Sequence, residues 1–267
     1  MTAWARAAWA YLVVAVGAVL LVVACLSWAL VSVVLMLVLS ARTGRKVGRW
    51  GAMAVFRAYL GTMEALGAWR LDLRELDALK DKGALIVAPN HPCLLDAVLV
   101  VSRLPNAVCV MKGALLANFL LGPAARLARY VPNDSLRRLT THASGELGLG
   151  GQLLLFPEGT RSASEPVGPF TDAVGAIARR AQVPVQAVII EASSRFLGKG
   201  GAGFARPVLP IVYRVRLGRR FDPPQDVRAF TAELERYFAR ELGGRGMAVE
   251  VPGAAPRAVN DAPRLRG

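Results

Sequence analysis

The chain carries no charged residue from Ala7 to Leu39, and only Gly17, Ser27 and Ser32 interrupt this apolar run. As one continuous helix the run would be roughly 50 Å long, against a hydrocarbon core of about 30 Å. A single tilted helix that crosses the bilayer with an overhang fits this length. A helix that dips into the bilayer and returns is the alternative, although no proline marks a midpoint.

The charged residues on either side of the run predict its orientation. One cation, Arg6, precedes it, whereas a basic cluster follows it, formed by Arg42, Arg45, Lys46 and Arg49. A signal peptide would have an apolar region of about half this length, followed by small residues rather than cations. By the positive-inside rule the chain from residue 41 onward lies in the cytoplasm. We therefore expect a protein of the inner (cytoplasmic) membrane, with the part of the chain that follows the apolar run on the cytoplasmic face.

A second helix is predicted after the basic cluster, because apolar side chains recur there at helical spacing. These side chains are Met53, Phe56, Leu60 and Met63. With Trp50 and Tyr59 as amphipathic anchors, the segment fits an interfacial helix lying on the bilayer. It fits equally well an amphipathic helix packed on the domain that follows.

The rest of the chain alternates between short apolar runs and helix-like segments, which is typical of an α/β domain with a largely parallel sheet flanked by helices. The predicted strands are 84–88, 107–111, 152–156, 185–190 and 211–217, and the predicted helices are 95–103, 114–121, 135–147, 174–181 and 226–242. This divides the chain into N-terminal membrane-anchoring helices (1–70), a domain (71–242) and a basic tail (243–267). The tail lacks periodicity and is predicted to be disordered.

The net charge of +14 predicts an anionic partner. Phospholipid, nucleic acid, an acidic carrier protein and a phosphorylated substrate all fit the charge alone. The 54% hydrophobic content is high for a soluble globule and favours membrane lipid. Binding of nucleic acid by the tail is a minor alternative, so we expect no nucleic-acid partner. The three cysteines have no CxxC spacing, and we expect neither a disulfide framework nor a metal site.

A histidine follows the first predicted strand of the domain. His91 lies in the stretch Asn90-His91-Pro92-Cys93-Leu94-Leu95-Asp96, and Asp96 can turn back toward its imidazole if a helix begins there. The chain has two histidines, so a base that works near neutral pH must be His91 or His142. His91 has the better setting, at the mouth of a strand, whereas His142 is predicted to be an exposed helical residue.

The second polar stretch follows another predicted strand and reads Phe156-Pro157-Glu158-Gly159-Thr160-Arg161. Because ligands bind at the carboxyl ends of strands in doubly wound sheets, the two stretches can face each other. Arg161 can hold a phosphate through two hydrogen bonds, and Glu158 can bind a hydroxyl or pair with Arg161. Gly159 lets the backbone approach a ligand closely.

These two stretches, in this order and at this spacing, resemble the first and third motif blocks of the lysophospholipid acyltransferases, a family that includes 1-acylglycerol-3-phosphate acyltransferase. The resemblance covers about residues 80 to 220 and implies a glycerol-3-phosphate acyltransferase-like domain. It implies that His91 is the general base and that Asp96 orients it. It also implies that Glu158, Gly159, Thr160 and Arg161 bind the acceptor, together with Lys112, which resembles the lysine opening the second block.

The reaction implied by the resemblance moves an acyl group from acyl-CoA or acyl carrier protein, as co-substrate, to the hydroxyl of a lysophospholipid, with no cofactor. The chain departs from the family pattern where Asp134 replaces an expected arginine and where Phe170-Thr171-Asp172-Ala173 lacks a base and a glycine. In a third departure Cys93 lies where serine is frequent in the family, and we expect this replacement to leave the activity intact.

Two other functions remain open at this stage. The sequences His91-Pro92-Cys93-Leu94-Leu95-Asp96 and Met111-Lys112-Gly113-Ala114-Leu115 also resemble a branch of the family found with aryl-polyene synthesis. The acceptor of such an enzyme would be an unusual lipid. A catalytically silent, membrane-tethered module that binds lipid or carrier protein is the alternative outside enzymes. Intact His91 and Asp96 favour an enzyme.

Overall fold

Seven strands form one sheet in the order β1-β7-β6-β2-β5-β3-β4 in the part of the chain that the structure, a computed structural model, describes, which is residues 3–162, 167–194, 198 and 209–243. The strands are β1 (Trp69–Asp72), β2 (Leu85–Pro89), β3 (Ala107–Met111), β4 (Val131–Pro132), β5 (Gln152–Leu154), β6 (Val185–Ala192) and β7 (Ile211–Phe221). All neighbouring strands are parallel except β6 and β7. The predicted α/β class with a largely parallel sheet is confirmed.

Eight α-helices accompany these strands in the described residues. They are α1 (Ala3–Val38), α2 (Ala41–Ala65), α3 (Asp96–Val101), α4 (Gly113–Ala117), α5 (Gly122–Leu127), α6 (Leu136–Gly148), α7 (Ala173–Ala181) and α8 (Val227–Gly243). A 3-10 helix, Arg74–Leu79, lies between β1 and β2. The predicted tail lies outside the described residues, apart from Gly243.

Two apolar cores lie on opposite faces of the sheet, because successive side chains of a strand point to opposite sides. Leu85 and Val87 of β2 belong to the core that also contains residues of α2 and α3. Ile86 and Ala88 belong to the other core, which contains residues of α6, α7 and α8. Burial on both faces explains why the central strands are continuous apolar runs.

The apolar run forms one helix, as predicted, and α1 is long and apolar enough to cross a membrane over Ala7–Val38. It folds back antiparallel along α2. A Cβ at Gly17 would collide with Met63, and a Cβ at Gly51 would collide with the ring of Trp28, so the two helices approach closely at both points. α1 also contacts α5 of the domain.

A buried arginine fastens α2 to the domain. Arg49 is 1% exposed, and its Nε donates to the carbonyl oxygen of Ala128 at 3.0 Å. Its Nη1 donates to Asn106 Oδ1 at 2.7 Å, and its Nη2 pairs with the carboxylate of Glu146. Arg49 was grouped with the basic cluster in the sequence, but it is not available to lipid head groups.

The two aromatic residues expected to anchor α2 at a bilayer differ in their surroundings. Trp50 is 59% exposed, whereas Tyr59 is 7% exposed and packs edge-to-face on Trp69 with ring centroids 5.5 Å apart. The expectation that Tyr59 lies at the lipid interface is therefore wrong. One face of α2 packs on the domain, as in the second of the two alternatives.

Candidate active site

The two polar stretches meet at one edge of the sheet because the strands that precede them, β2 and β5, are parallel neighbours. The loop after β2 carries His91, and the loop after β5 carries Glu158 and Arg161. Ser162 N donates to the carbonyl oxygen of His91 at 2.9 Å. Asn90 fixes the first loop on its other side, because its amide exchanges two hydrogen bonds with the backbone of Ile190 in β6, at 2.7 and 2.9 Å.

His91 and Asp96 form a hydrogen-bonded pair. His91 Nδ1 lies 2.8 Å from Asp96 Oδ2, because α3 begins at Asp96 and turns its side chain back toward the loop. The Asp96 side chain is fully buried and the His91 side chain is 17% exposed. A proton on Nδ1 that is donated to the carboxylate leaves the lone pair of the imidazole on Nε2.

The Asp96 carboxylate accepts further hydrogen bonds from Cys93. The Cys93 N–H donates to Oδ2 at 2.7 Å, and the thiol Sγ lies 2.9 Å from Oδ1. Burial raises the pKa of Asp96, while the hydrogen bonds from His91 and Cys93 oppose that shift. The side chain can act as an anion next to His91 because these donors replace the water it has lost.

The Phe156 ring stacks on the His91 imidazole, with centroids 3.8 Å apart and planes inclined by 17°. Strand β5 ends at Leu154, two residues earlier than predicted, so Phe156 belongs to the loop and can turn toward the histidine. The stacked ring limits rotation of the imidazole, which is already tied to Asp96.

Glu158 is 5% exposed and binds protein donors from three places. Its Oε1 accepts from His91 N at 3.2 Å and from Ser162 Oγ at 2.7 Å, and its Oε2 accepts from Gly168 N at 2.9 Å. A Glu-x-x-Arg pattern more often forms an ion pair on the protein surface, but Glu158 is buried and bonded to these three donors instead. Gly159, with a φ of +65°, turns the chain directly after it, and that backbone conformation favours glycine.

The remaining residues predicted to bind the acceptor lie along the same edge of the sheet. Thr160 is exposed, and Arg161 is half-buried with its Nη1 3.4 Å from the carbonyl oxygen of Gly198. Lys112 is exposed at the end of β3, which lies on the far side of β5 from β2. The structure thus joins Glu158 directly to the His91 loop and places Lys112 farther along the edge. Their roles in binding stay predictions.

The two departures from the family pattern in which a cation is missing have distinct surroundings. Asp134 is exposed just beyond β4 and lies next to Gly113 at the start of α4. Asp172 accepts a hydrogen bond from Thr231 Oγ1 of α8 at 2.7 Å. The carboxylate of Asp172 therefore serves the packing of α7 on α8.

The sequence alone did not indicate three contacts of this site: the stacking of Phe156, the bond from Gly168 to Glu158 and the thiol of Cys93 on Asp96. Each depends on the conformation of a loop. The fixed spacing of His91, Cys93 and Asp96 around a helix start could have indicated the last one. His142, the other histidine, is exposed on α6 as predicted.

Comparison with known proteins gives a consistent result. The acyltransferase family matches residues 70–191. The 1-acyl-sn-glycerol-3-phosphate acyltransferase alpha of Mus musculus is 27% identical, over 86% of this chain and 85% of the relative. The crystal structure of the 1-acyl-sn-glycerophosphate (LPA) acyltransferase PlsC from Thermotoga maritima superposes with a TM-score of 0.63 over 90% of this chain and 95% of that chain. At 17% identity, this second likeness concerns the fold.

Proposed function

We propose that this chain, which belongs to the lysophospholipid acyltransferase family, uses His91 as the general base that transfers an acyl group to a lipid hydroxyl. The chain is an acyltransferase of the 1-acyl-sn-glycerol-3-phosphate type. The observation that carries the proposal is the 2.8 Å contact between His91 Nδ1 and the fully buried carboxylate of Asp96.

The reaction follows from the orientation of this pair. His91 Nε2 takes the proton of the acceptor hydroxyl as its oxygen attacks the thioester carbonyl carbon. The tetrahedral intermediate expels the thiolate, and the imidazolium returns the proton to that sulfur. Asp96 holds the tautomer and stabilises the imidazolium, as the aspartate of a serine hydrolase triad does, with the oxygen of the substrate as the nucleophile. No acyl-enzyme forms.

The acyl donor is a thioester of coenzyme A or of acyl carrier protein, and the acceptor is a lysophospholipid or a related lipid. Arg161 lies in the same loop as Glu158, and its guanidinium supports an acceptor with an anionic head group. The family pattern has a cation at the position of Asp134 and another in the element that corresponds to Phe170-Thr171-Asp172-Ala173, and the lack of these two cations favours an acceptor other than the plain phosphomonoester. An unusual lipid, such as one carrying an aryl polyene, is the second candidate for this reason.

The protein works at a membrane, because its acceptor is a lipid and α1 presents its apolar side chains outward. Arg42 and Lys46, which follow α1, are exposed and can bind anionic head groups. Together with the positive-inside rule, these cations support a catalytic domain on the cytoplasmic face of the inner membrane.

The decisive experiment compares His91→Ala with His142→Ala in purified protein, using labelled acyl-CoA and acyl carrier protein with a panel of lysolipids. Loss of the base should lower kcat by roughly 10³-fold or more, whereas the exposed His142 should be dispensable. Circular dichroism must show that both variants fold.

Two outcomes would contradict the proposal. Undiminished transfer by the His91→Ala protein would remove the general base. Lipid binding without transfer to any acceptor in the parent protein would instead support a catalytically silent, membrane-tethered module.

A further inference from the structure

Cys93 makes two of the three hydrogen bonds that hold the Asp96 carboxylate. Its backbone N–H donates to Oδ2 at 2.7 Å and its thiol lies 2.9 Å from Oδ1, while His91 Nδ1 approaches Oδ2 at 2.8 Å. Oδ2 thus serves the histidine and one backbone donor, and Oδ1 has the thiol. The carboxylate is fully buried, so the direction of each oxygen depends on these protein groups.

The thiol of Cys93 is in the neutral form that such a donor needs. Burial raises the pKa of Cys93 well above its usual range, and the negative charge of Asp96 raises it further. Cys93 is 1% exposed. A thiol that is buried, protonated and directed at a carboxylate is a hydrogen-bond donor and a poor nucleophile, which argues against an acylated Cys93.

Tyr213 of β7 is a neighbour of the Cys93 thiol. It is fully buried, and its hydroxyl lies beside the Cys93 thiol, without the alignment of a well-formed hydrogen bond. Its ring packs edge-to-face on Trp69, with centroids 6.2 Å apart, so it cannot move aside easily.

We propose that Cys93 is a positioning residue for acyl transfer: its thiol hydrogen bond to Oδ1 orients the Asp96 carboxylate so that Oδ2 faces His91 Nδ1. The inference rests on the proposed function of His91 as the general base. If it holds, the rate of the reaction depends on the side chain at residue 93, which is 1% exposed and acts through Asp96.

The titratable groups around the pair determine the expected pH effect. His91 and Cys93 face Asp96 from the loop after β2, Tyr213 faces it from β7, and Glu158 binds the backbone N–H of His91 from the loop after β5. Removing the thiol takes a donor from the state in which Asp96 is charged and His91 is neutral. The pKa of Asp96, which burial already raises, then rises further, so the acid limb of the kcat profile moves upward.

A second buried thiol provides a matched control. Cys109 of β3 is also buried, and its thiol lies beside the hydroxyl of a partly buried tyrosine, Tyr130. This pair has the same chemistry as Cys93 and Tyr213. The sulfur of Cys109, in contrast to that of Cys93, has no contact with Asp96.

The test measures kcat, KM for the acceptor and the pH profile for Cys93→Ala, Cys93→Ser and Cys109→Ala. We expect Cys93→Ala to lose about fivefold in kcat with little change in KM, as for one modest hydrogen bond to a charged group. Its acid limb should move up by about half a pH unit. Cys93→Ser keeps a hydrogen-bond donor and should therefore have the kcat and the acid limb of the parent protein. The control variant Cys109→Ala should also match the parent in both quantities.

If Cys93→Ala does not fold, the nearly isosteric pair Cys93→Thr and Cys93→Val provides the same comparison, since the two side chains differ in one hydroxyl. The inference is overturned if the variants with a hydroxyl donor (Cys93→Ser, Cys93→Thr) and those without one (Cys93→Ala, Cys93→Val) have the same kcat and the same acid limb in the pH profile. Failure of the proposed function looks different, because the parent protein would then show no transfer or His91→Ala would retain it.

Discussion

At the scale of single residues, the Glu158 carboxylate links the loop that carries His91 to the loop that carries Arg161. It accepts the backbone N–H of His91, the hydroxyl of Ser162 and the backbone N–H of Gly168. A head-group role would need a free oxygen, and these three donors already surround a side chain that is 5% exposed. Holding the two loops together is the role that the contacts support.

Glu158→Gln should therefore weaken both the fold and the chemistry. One carboxylate oxygen becomes an NH2 group, and in either amide orientation this group meets a backbone N–H that has lost its acceptor. We expect a loss of about 2 kcal/mol in the free energy of unfolding, measured by denaturant titration. Because the His91 loop loses an anchor, kcat should fall more than KM for the acceptor rises.

Glu233→Gln is the control for this variant. Glu233 pairs with Arg219 at 2.8 Å, but both side chains are exposed, so its loss should cost under about 1 kcal/mol. A Glu158→Gln protein with parental stability and a large increase in KM alone would show that Glu158 binds the head group.

At the scale of elements, the sequence predicted those parts of the fold that depend on local pattern. The apolar run of α1, the buried strands β2 and β3, and the helix α8 were located from periodicity and from the lengths of apolar runs. Strand β1 was missed because Trp69-Arg70-Leu71-Asp72 looks like a solvated segment, and it becomes a strand by pairing with β7. Strand β4, with two residues, gives no signal of its own.

The candidate site was predictable to a similar degree. His91 and Asp96 were found from their spacing, because a helix start at Asp96 is a local feature. The surroundings of Glu158 and the burial of Arg49 were not found, because they depend on groups distant in the sequence, such as Glu146 for Arg49. An arginine within a basic cluster gives no sign that it will be enclosed.

Arg49 provides a prediction about how α2 is joined to the domain. Arg49→Met leaves Asn106 Oδ1 and the carbonyl oxygen of Ala128 without this donor, and leaves Glu146 with Arg45 at 2.9 Å. We expect a loss of about 3 kcal/mol in the free energy of unfolding, measured in detergent solution, as for a broken buried ion pair.

Arg57→Met, an exposed position on the same helix, should change stability by less than about 0.5 kcal/mol. Equal stability of the two variants would mean that packing alone, without the guanidinium, joins α2 to the domain.

At the scale of the whole molecule, α1 and α2 form an antiparallel pair that packs along the domain. If α1 crossed the bilayer, the adjacent length of α2 would enter it too, and α2 exposes Arg42, Lys46 and Arg57. A charged side chain at the bilayer centre costs at least about 2.5 kcal/mol. The packing therefore favours a pair that lies in one leaflet over the spanning helix that length alone suggested.

This arrangement places both ends of α1 on the same side of the membrane. Cysteines introduced at Trp4, which is 86% exposed, and at Glu233 of α8 in the domain, whose side chain is exposed, should both react with a membrane-impermeant maleimide from the cytoplasmic side. The native thiols of Cys25, Cys93 and Cys109 are buried and should give little background. Labelling of the two positions from opposite sides would restore the spanning helix.

The pairing of β1 with β7 has a consequence for how the protein is made. Strand β1 follows the helical pair directly, yet its partner β7 is the last of the seven strands in the described residues to leave the ribosome. For most of translation the apolar pair and an unpaired strand edge are displayed together, a combination prone to self-association. We therefore expect the helical pair to enter lipid during translation, before β1 pairs with β7.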